Sequence, residues 1–440
     1  MKRKIYSKLI EWKQSPRRKP LVLQGARQVG KSWILKEFGR NEYKHTAYIS
    51  CDNEPLAKAL FADYDTDRIL RSIEALAGVP VEPTDTLIIL DEIQEVPEGL
   101  SALKYLYEEK PGYHIAIAGS LLGITLHSGT SFPVGKVDFL SMHPMDFEEF
   151  LWAIGEESIA DLIATRDIAV LDTLHTKCVE LLRQYYFAGG MPEAVSAYAS
   201  DGSVIEVRNI QRAIVEAYRN DISKHAPLRE TERIQLVMRS LPAQLAKENK
   251  KFVYSAVRKG ARAVDFEIAI QWLVDAGIVT RVSRINAPKI PLSFYEDFNA
   301  FKLYLLDCGL FGAMCDTPIA DILMGSKIFE EYKGAFTELF VLQQLKADVA
   351  DNVYYFSGDN SRIEVDFVIA LGSTVVPLEV KAEDNLKGKS LKLFREQNHL
   401  TLAARLSMRP YREQDGLVNI PLYAAASCRS WIDAIIGQKG

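Results

Sequence analysis

The sequence predicts an α/β protein that opens on a doubly wound parallel sheet, and three observations predict it. Short, continuously apolar runs alternate with helical segments between Pro20 and about Phe150. A G-x-x-x-x-G-K-S motif follows the first run directly and leads straight into a helical segment. A later run ends in the acidic pair Asp91-Glu92, 60 residues beyond Lys31. Strands covered on both faces of a parallel sheet read as unbroken apolar stretches, and strand–helix alternation winds such a sheet.

In chain order, strands are expected at Pro20–Gln24, Thr46–Ser50, Thr86–Leu90 and His114–Ala118. From Glu148 to Asp221 the pattern is helical, with Leu181, Leu182, Tyr185 and Tyr186 leading into the turn Gly189-Gly190-Met191-Pro192. Thr231 to Gly312 holds helices and then short strands. Within it, Tyr254–Val257 reads as a short helix and Ala261–Val264 as a turn. Asp265 is expected to cap a longer helix, Phe266–Ala276, closed by Gly277. A strand beginning at Ile278–Val282 makes this a winged helix. The last region has a helix at Glu330–Asp348, then strands at Val353–Phe356, Glu364–Ala370, Thr374–Val380 and Ala403–Met408. At about 100–200 residues per domain, the 440 residues accommodate an ATPase-type domain (1–150), a helical lid (151–228), a winged helix (229–325) and a C-terminal α/β domain (326–440).

With 48% hydrophobic and 25% charged residues, the composition is that of a globular protein. A net charge of −5 excludes a uniformly basic nucleic-acid coat but not basic patches. No apolar run reaches the roughly 18 residues of a membrane span. The basic N-terminus lacks the apolar core of a signal peptide, so a cytoplasmic location is expected. Cys51, Cys178, Cys308, Cys315 and Cys428 are scattered, which fits reduced thiols, mostly in the core.

The Gly-rich motif stands where a phosphate cradle needs it. Its glycines let the backbone curl so that N–H groups converge on phosphates, and the following helix adds positive potential. ATP with Mg²⁺ is therefore expected against Gly25, Ala26, Arg27, Gln28, Val29, Gly30, Lys31, Ser32 and Trp33. Lys31 would reach the β- and γ-phosphates, and Ser32 would ligate the metal. The apolar run Leu87–Leu90 delivers Asp91 and Glu92 to the ligand-binding edge of the sheet. Asp91 would hold Mg²⁺ through water, and Glu92 would orient the attacking water. Ser120, at the end of a third strand, either contacts the γ-phosphate or lytic water or is a simple turn serine.

These residues resemble the AAA+ ATPases, a P-loop NTPase class. More specifically they resemble a bacterial and archaeal group of predicted ATPases whose AAA-type domain is fused to a C-terminal domain of unknown function. The resemblance runs through GARQVGKS, LIILDEIQ, AGSLLG, HPMDFEEFL, FAGGMPEAV, FKLYLLDCGL, EVDFV and LEVK, in that order. It agrees with the winged helix. In that family a Gly-Arg-Val commonly precedes the HPMDFEEFL-like segment, whereas this chain has Gly135-Lys136-Val137. A lysine lacks the planar fork of an arginine finger, which leaves Arg183, Arg212 and Arg219 as alternatives.

Two further constellations bear on function. Between Arg239 and Arg262 stand seven basic residues (Arg239, Lys247, Lys250, Lys251, Arg258, Lys259, Arg262) and one acid, Glu248. Such a patch suits DNA phosphates, but Asp265, Glu267 and Asp275 on the recognition helix do not, and an internal spacer is the plainer reading. Glu364-Val-Asp366 followed by Glu379-Val-Lys381 has the spacing of the PD-(D/E)xK fold of restriction endonucleases. Asp366, Glu379 and Glu338 would bind a second divalent metal, with Lys381 at the phosphate. Lys387, Lys389, Lys392 and Arg395 follow, as on a nucleic-acid-facing surface. Whether such a domain cuts is a separate question from its fold. Two functions come from this reading: Mg²⁺-dependent ATP hydrolysis coupled to a DNA-facing C-terminal half, or a slow ATP switch presenting that half to a protein partner. The oligomeric state is left open.

Overall fold

Leu21–Gln24 (β1), His45–Ser50 (β2), Thr86–Asp91 (β3), His114–Ala118 (β4) and Asp138–Ser141 (β5) form one sheet in the order β2-β3-β4-β1-β5. Every neighbouring pair is parallel. The structure, a computed structural model, describes residues 1–52, 57–120, 135–247, 250–324, 327–348, 352–358, 363–382 and 389–437. Helices Ile5–Gln14 (α1), Lys31–Glu42 (α2), Ala57–Leu60 (α3), Thr66–Ala77 (α4) and Pro97–Glu109 (α5) accompany the strands. β3 and β4 are buried along their whole length, as strands inside a two-sided sheet must be. β5, at the edge, alternates between half-buried and exposed. Because all the strands point one way, the segments after β1, β3 and β4 gather at a single edge of the sheet.

The chain divides into two compact units: Lys2–His143 with Asp275–Ile278, and Met1 and Pro144–Val274 with Val279–Gly440. The second unit begins with helices Phe147–Ala153, Glu157–Thr165, Ile168–Thr173, His175–Ala188, Pro192–Asp201, Val204–His225 and Leu228–Leu245. The first of these starts in a capping box. Asp146 accepts from the Glu149 N–H, and the Glu149 carboxylate accepts from the Asp146 N–H. Leu181, Leu182, Tyr185 and Tyr186 are buried, as their spacing predicts. At the turn that follows, a Cβ on Gly190 would stand 2.1 Å from the Met145 carbonyl oxygen, so only glycine fits.

Helices Tyr254–Val257 and Ala263–Asp275 come next. The second starts earlier than the sequence suggests, and Asp265 does not cap it. Asp265 lies in the first turn and accepts a hydrogen bond from the Arg262 N–H at 2.9 Å, the reverse arm of a cap. Val279–Ile285 (β6) and Glu296–Leu305 (β7) form an antiparallel pair, but β6 also pairs, in parallel, with Tyr354–Ser357 (β8). Glu364–Leu371 (β9), Thr374–Lys381 (β10), Ala403–Ser407 (β11), Arg412–Gln414 (β12) and Leu417–Pro421 (β13) extend the same sheet. Its order is β12-β13-β11-β10-β9-β8-β6-β7. The boundary expected at 325/326 therefore falls between strands of one continuous mixed sheet. The Lys327–Asp348 helix connects its two parts. All five cysteines are free thiols, and four are buried. No helix of the described residues is long and apolar enough to cross a membrane.

Candidate functional site

The loop between β1 and α2 is held in its curled form by its glycines and by one buried lysine. Gly25 has φ +148°, and a Cβ there would lie 2.2 Å from the Met142 carbonyl oxygen. Gly30 has φ +97° and opens α2 in the left-handed region. Lys31 is only 6% exposed, and its Nζ donates to the carbonyl oxygens of Gly25 and Ala26, both at 2.8 Å. Burial pulls the Lys31 ammonium down to about 8, while Glu92 and Asp91 act the other way. Ala26 and Val29 are buried, Ser32 is half-buried, and Arg27, Gln28 and Trp33 face outward.

Asp91 ends β3, is 4% exposed and accepts from the Tyr48 hydroxyl at 2.9 Å. Glu92 follows in the left-handed region at φ +50°, which turns its carboxylate toward the end of β4. There the backbone N–H and the hydroxyl of Ser120 both donate to Glu92 Oε2 at 3.3 Å, and the Gln94 amide donates to the same oxygen. Thus the end of one strand delivers Ser120 to a carboxylate on the next. A buried ammonium, a hydroxyl and two carboxylates share one sheet edge, a donor set that fits a nucleotide polyphosphate with a hard divalent cation.

Three contributors carry no signal in the sequence. The Arg3 guanidinium, two residues before α1, donates to the carbonyl oxygens of Val29 at 2.9 Å and His143 at 2.7 Å, fastening the loop from outside the motif. Tyr48 and Gln94 orient the two acids, and nothing local marks either one. Lys136, just before β5 and so at the start of the strand beside β1, pairs with Glu108 at 3.0 Å. Arg212 pairs with Asp316 at 3.0 Å and Arg219 with Glu216 at 3.2 Å. Leu121 to Gly123 lie outside the described residues.

The C-terminal carboxylates are arranged differently from expectation. Of Asp366, Glu379 and Glu338, expected to share a divalent metal, Glu379 and Glu338 are paired with protein cations and Asp366 is held by a backbone N–H. Glu379 lies between Lys381 Nζ at 3.3 Å and Arg405 Nε at 2.9 Å. Glu338 accepts from Lys250 and from the Tyr304 hydroxyl at 2.9 Å. Burial opposes ionisation of Glu338, but Lys250 and Lys302 outweigh it and hold the carboxyl below its ordinary range. Asp366 accepts from the Val380 N–H at 2.7 Å, while burial and Glu338 push it up to about 7. Among the described residues, no group of three or more His, Cys, Asp or Glu could hold a metal ion.

The basic stretch is also thinner than its sequence suggests. Lys250 is buried, whereas Arg239, Lys247, Lys251, Arg258, Lys259 and Arg262 remain exposed. Glu248, Lys387 and the Lys389 side chain lie outside the described residues.

Residues 17–151 match the family model of an AAA domain. Residues 179–321 and 333–425 match two models described as domains of unknown function, DUF8612 and DUF4143. No curated protein matches the chain. Among solved structures, a Walker-type ATPase of Pyrococcus abyssi is 16% identical, with 71% of this chain and 95% of that one covered at a TM-score of 0.45. The Aeropyrum pernix ORC2 protein, solved in ADPNP–ADP complexes, is 14% identical, with 70% and 89% covered at 0.32. Thermotoga maritima RuvB is 14% identical, with 63% and 88% covered at 0.31. These three are distant likenesses only. The first unit carries an AAA-type P-loop domain, and such a domain binds nucleotide.

Proposed function

We propose that the chain is a Mg²⁺-dependent ATPase whose chemistry lies in the Lys2–His143 unit. The observation that carries this reading is Lys31, a buried ammonium at a helix start that donates to two carbonyls of its own loop. A polyphosphate would offer it charged acceptors instead. Ser32 and Asp91 would hold the magnesium, which would supply charge neutralisation between the β- and γ-phosphates. Glu92, aimed by Ser120 and Gln94, is the group placed to accept a proton from an attacking water.

The experiment is ATP binding and turnover by the parent, Lys31→Ala and Glu92→Gln. Lys31→Ala should lose most affinity. Glu92→Gln should bind like the parent and turn over at least about a hundredfold more slowly, the usual scale for losing a general base. Parental hydrolysis by both variants would sink the assignment.

A second reading, the slow switch acting through a protein partner, is supported by the cation-compensated carboxylates of the C-terminal half. On that reading the winged-helix and nuclease-like segments bind rather than cut. Duplex DNA added at low salt separates the two. A rise in turnover supports coupling to DNA through the exposed basic residues between Arg239 and Arg262, and no response favours the switch.

A further inference from the structure

One piece of the first unit comes from far along the chain and lies against the phosphate loop. The segment Asp275–Ile278, which closes the Ala263–Asp275 helix, belongs to the same compact unit as Lys2–His143. Gly277 stands in it at φ +71°, the left-handed conformation that commonly ends a helix. A Cβ there would lie 3.2 Å from the Ala26 backbone nitrogen and 3.5 Å from the Ala26 Cα. The turn therefore meets the second residue of the 25–32 motif backbone to backbone.

Ala26 has little freedom to yield. It is 4% exposed, its carbonyl oxygen accepts from the Lys31 ammonium at 2.8 Å, and its neighbour Gly25 is pressed against the Met142 carbonyl oxygen. Glycine at 277 thus meets two demands, a left-handed φ and the lack of a Cβ. Gly78, which ends the Thr66–Ala77 helix at φ +67°, meets only the first, since a Cβ there would touch nothing within 4 Å. At Gly277 a Cβ would push Ala26 by a few tenths of an ångström. That displacement would carry to the ammonium that Ala26 holds.

We infer that the Asp275–Ile278 turn is a wall of the nucleotide site and that Gly277 is a positioning residue for its phosphate loop. The inference rests on the ATP reading of that loop, and it makes nucleotide binding and the seating of the turn one linked equilibrium. A ligand that binds only the seated loop raises the free energy needed to open every segment linked to it. Local opening is also what lets backbone amides exchange with solvent. The chain passes from this turn directly into β6, which gives the linkage a covalent route out of the first unit.

The test is hydrogen exchange of the full chain, with and without Mg²⁺ and a non-hydrolysable ATP analogue at about a hundredfold excess over its Kd. Peptides covering 25–32 and 275–278 should both slow, by up to about a hundredfold, and neither should slow in Lys31→Ala. Binding of the analogue then separates the contact from backbone strain. Gly277→Ala should weaken it at least about tenfold, within the range that small misplacements at a site can cost. Gly78→Ala should bind it like the parent, with a comparable fall in urea midpoint. Gly277→Asn, which tolerates the left-handed turn but still adds a Cβ, should weaken it as well. Should Gly277→Ala not fold, the parent's exchange at 275–278 decides alone. Protection at 25–32 without protection at 275–278 overturns the inference and leaves the ATP site standing. Parental affinity in a folded Gly277→Ala does the same. No protection at either segment overturns the ATP reading and the inference with it.

Discussion

Burial pulls the Lys31 ammonium down to about 8, and the opposing pull of Glu92 and Asp91 does not undo it. In the free protein the side chain therefore sheds its proton within an accessible pH range. Phosphates placed against it would raise that value, because they favour the charged form. Nucleotide binding must then take up a proton whenever the pH lies between the free and bound values. Affinity should be level below about pH 8 and fall as the pH rises beyond it, by up to tenfold per unit, or about 1.4 kcal/mol. Calorimetry at about pH 9 in buffers of different ionisation enthalpy should register uptake approaching one proton per site. Lys31→Arg, which stays charged at that pH, should lose the uptake. If the wild-type affinity is flat through this range, Lys31 does not meet the phosphates.

At the scale of elements, one buried carboxylate ties three segments of the second unit together. Asp307 accepts from the Gly190 N–H at 2.6 Å, the Leu310 N–H at 2.9 Å and the Gln343 amide at 3.0 Å. It thereby docks the Gly189-Gly190 turn, the Cys308–Met314 helix and the Lys327–Asp348 helix. Asp307→Ala would strand buried donors, at about 1–3 kcal/mol for each unsatisfied group. A total on the order of 3 kcal/mol is expected, read as a lower urea midpoint at constant slope. Asp307→Asn, which keeps one acceptor oxygen, should lose less, and equal losses would count against the hydrogen-bond account.

The same scale shows what could be read in advance. The four strands expected in the first unit lie within a residue of β1 to β4; β3 and β4 are buried throughout and read as unbroken apolar runs, whereas β2, at the edge, is buried only at Ala47 and Ile49. β5 escaped notice because Asp138–Ser141 is only four residues long, opens on an acid and has no fully buried position. At the site, the motif residues were legible because their spacing is local. Arg3, Arg405 and Lys302 were not, since each acts across dozens of residues or more. The parallel pairing of β6 with β8, Ser283 opposite Tyr354, is hidden for the same reason. A pair of strands that reads as a self-contained wing is in fact a shared part of a larger sheet.

Across the whole molecule, the chain resolves into two compact units, and the nucleotide chemistry is assigned to one of them. Coupling between the units is the part of the proposed function that a calorimetric melt can test directly. A non-hydrolysable ATP analogue at a hundredfold excess over its Kd stabilises whatever binds it by about 2.7 kcal/mol. For a unit of the size of Lys2–His143, that is a rise of roughly 10 °C in its own transition. If ATP binding only occupies the P-loop, the transition of the second unit should stay where it is. If the nucleotide changes the state of the second unit, its transition must move too, since a ligand can shift only those equilibria with which its binding is linked. The coupled-ATPase reading expects both transitions to move with Mg²⁺ and the analogue, and neither to move in Lys31→Ala. A shift confined to the first unit would leave ATP binding intact and remove the coupling from the proposal.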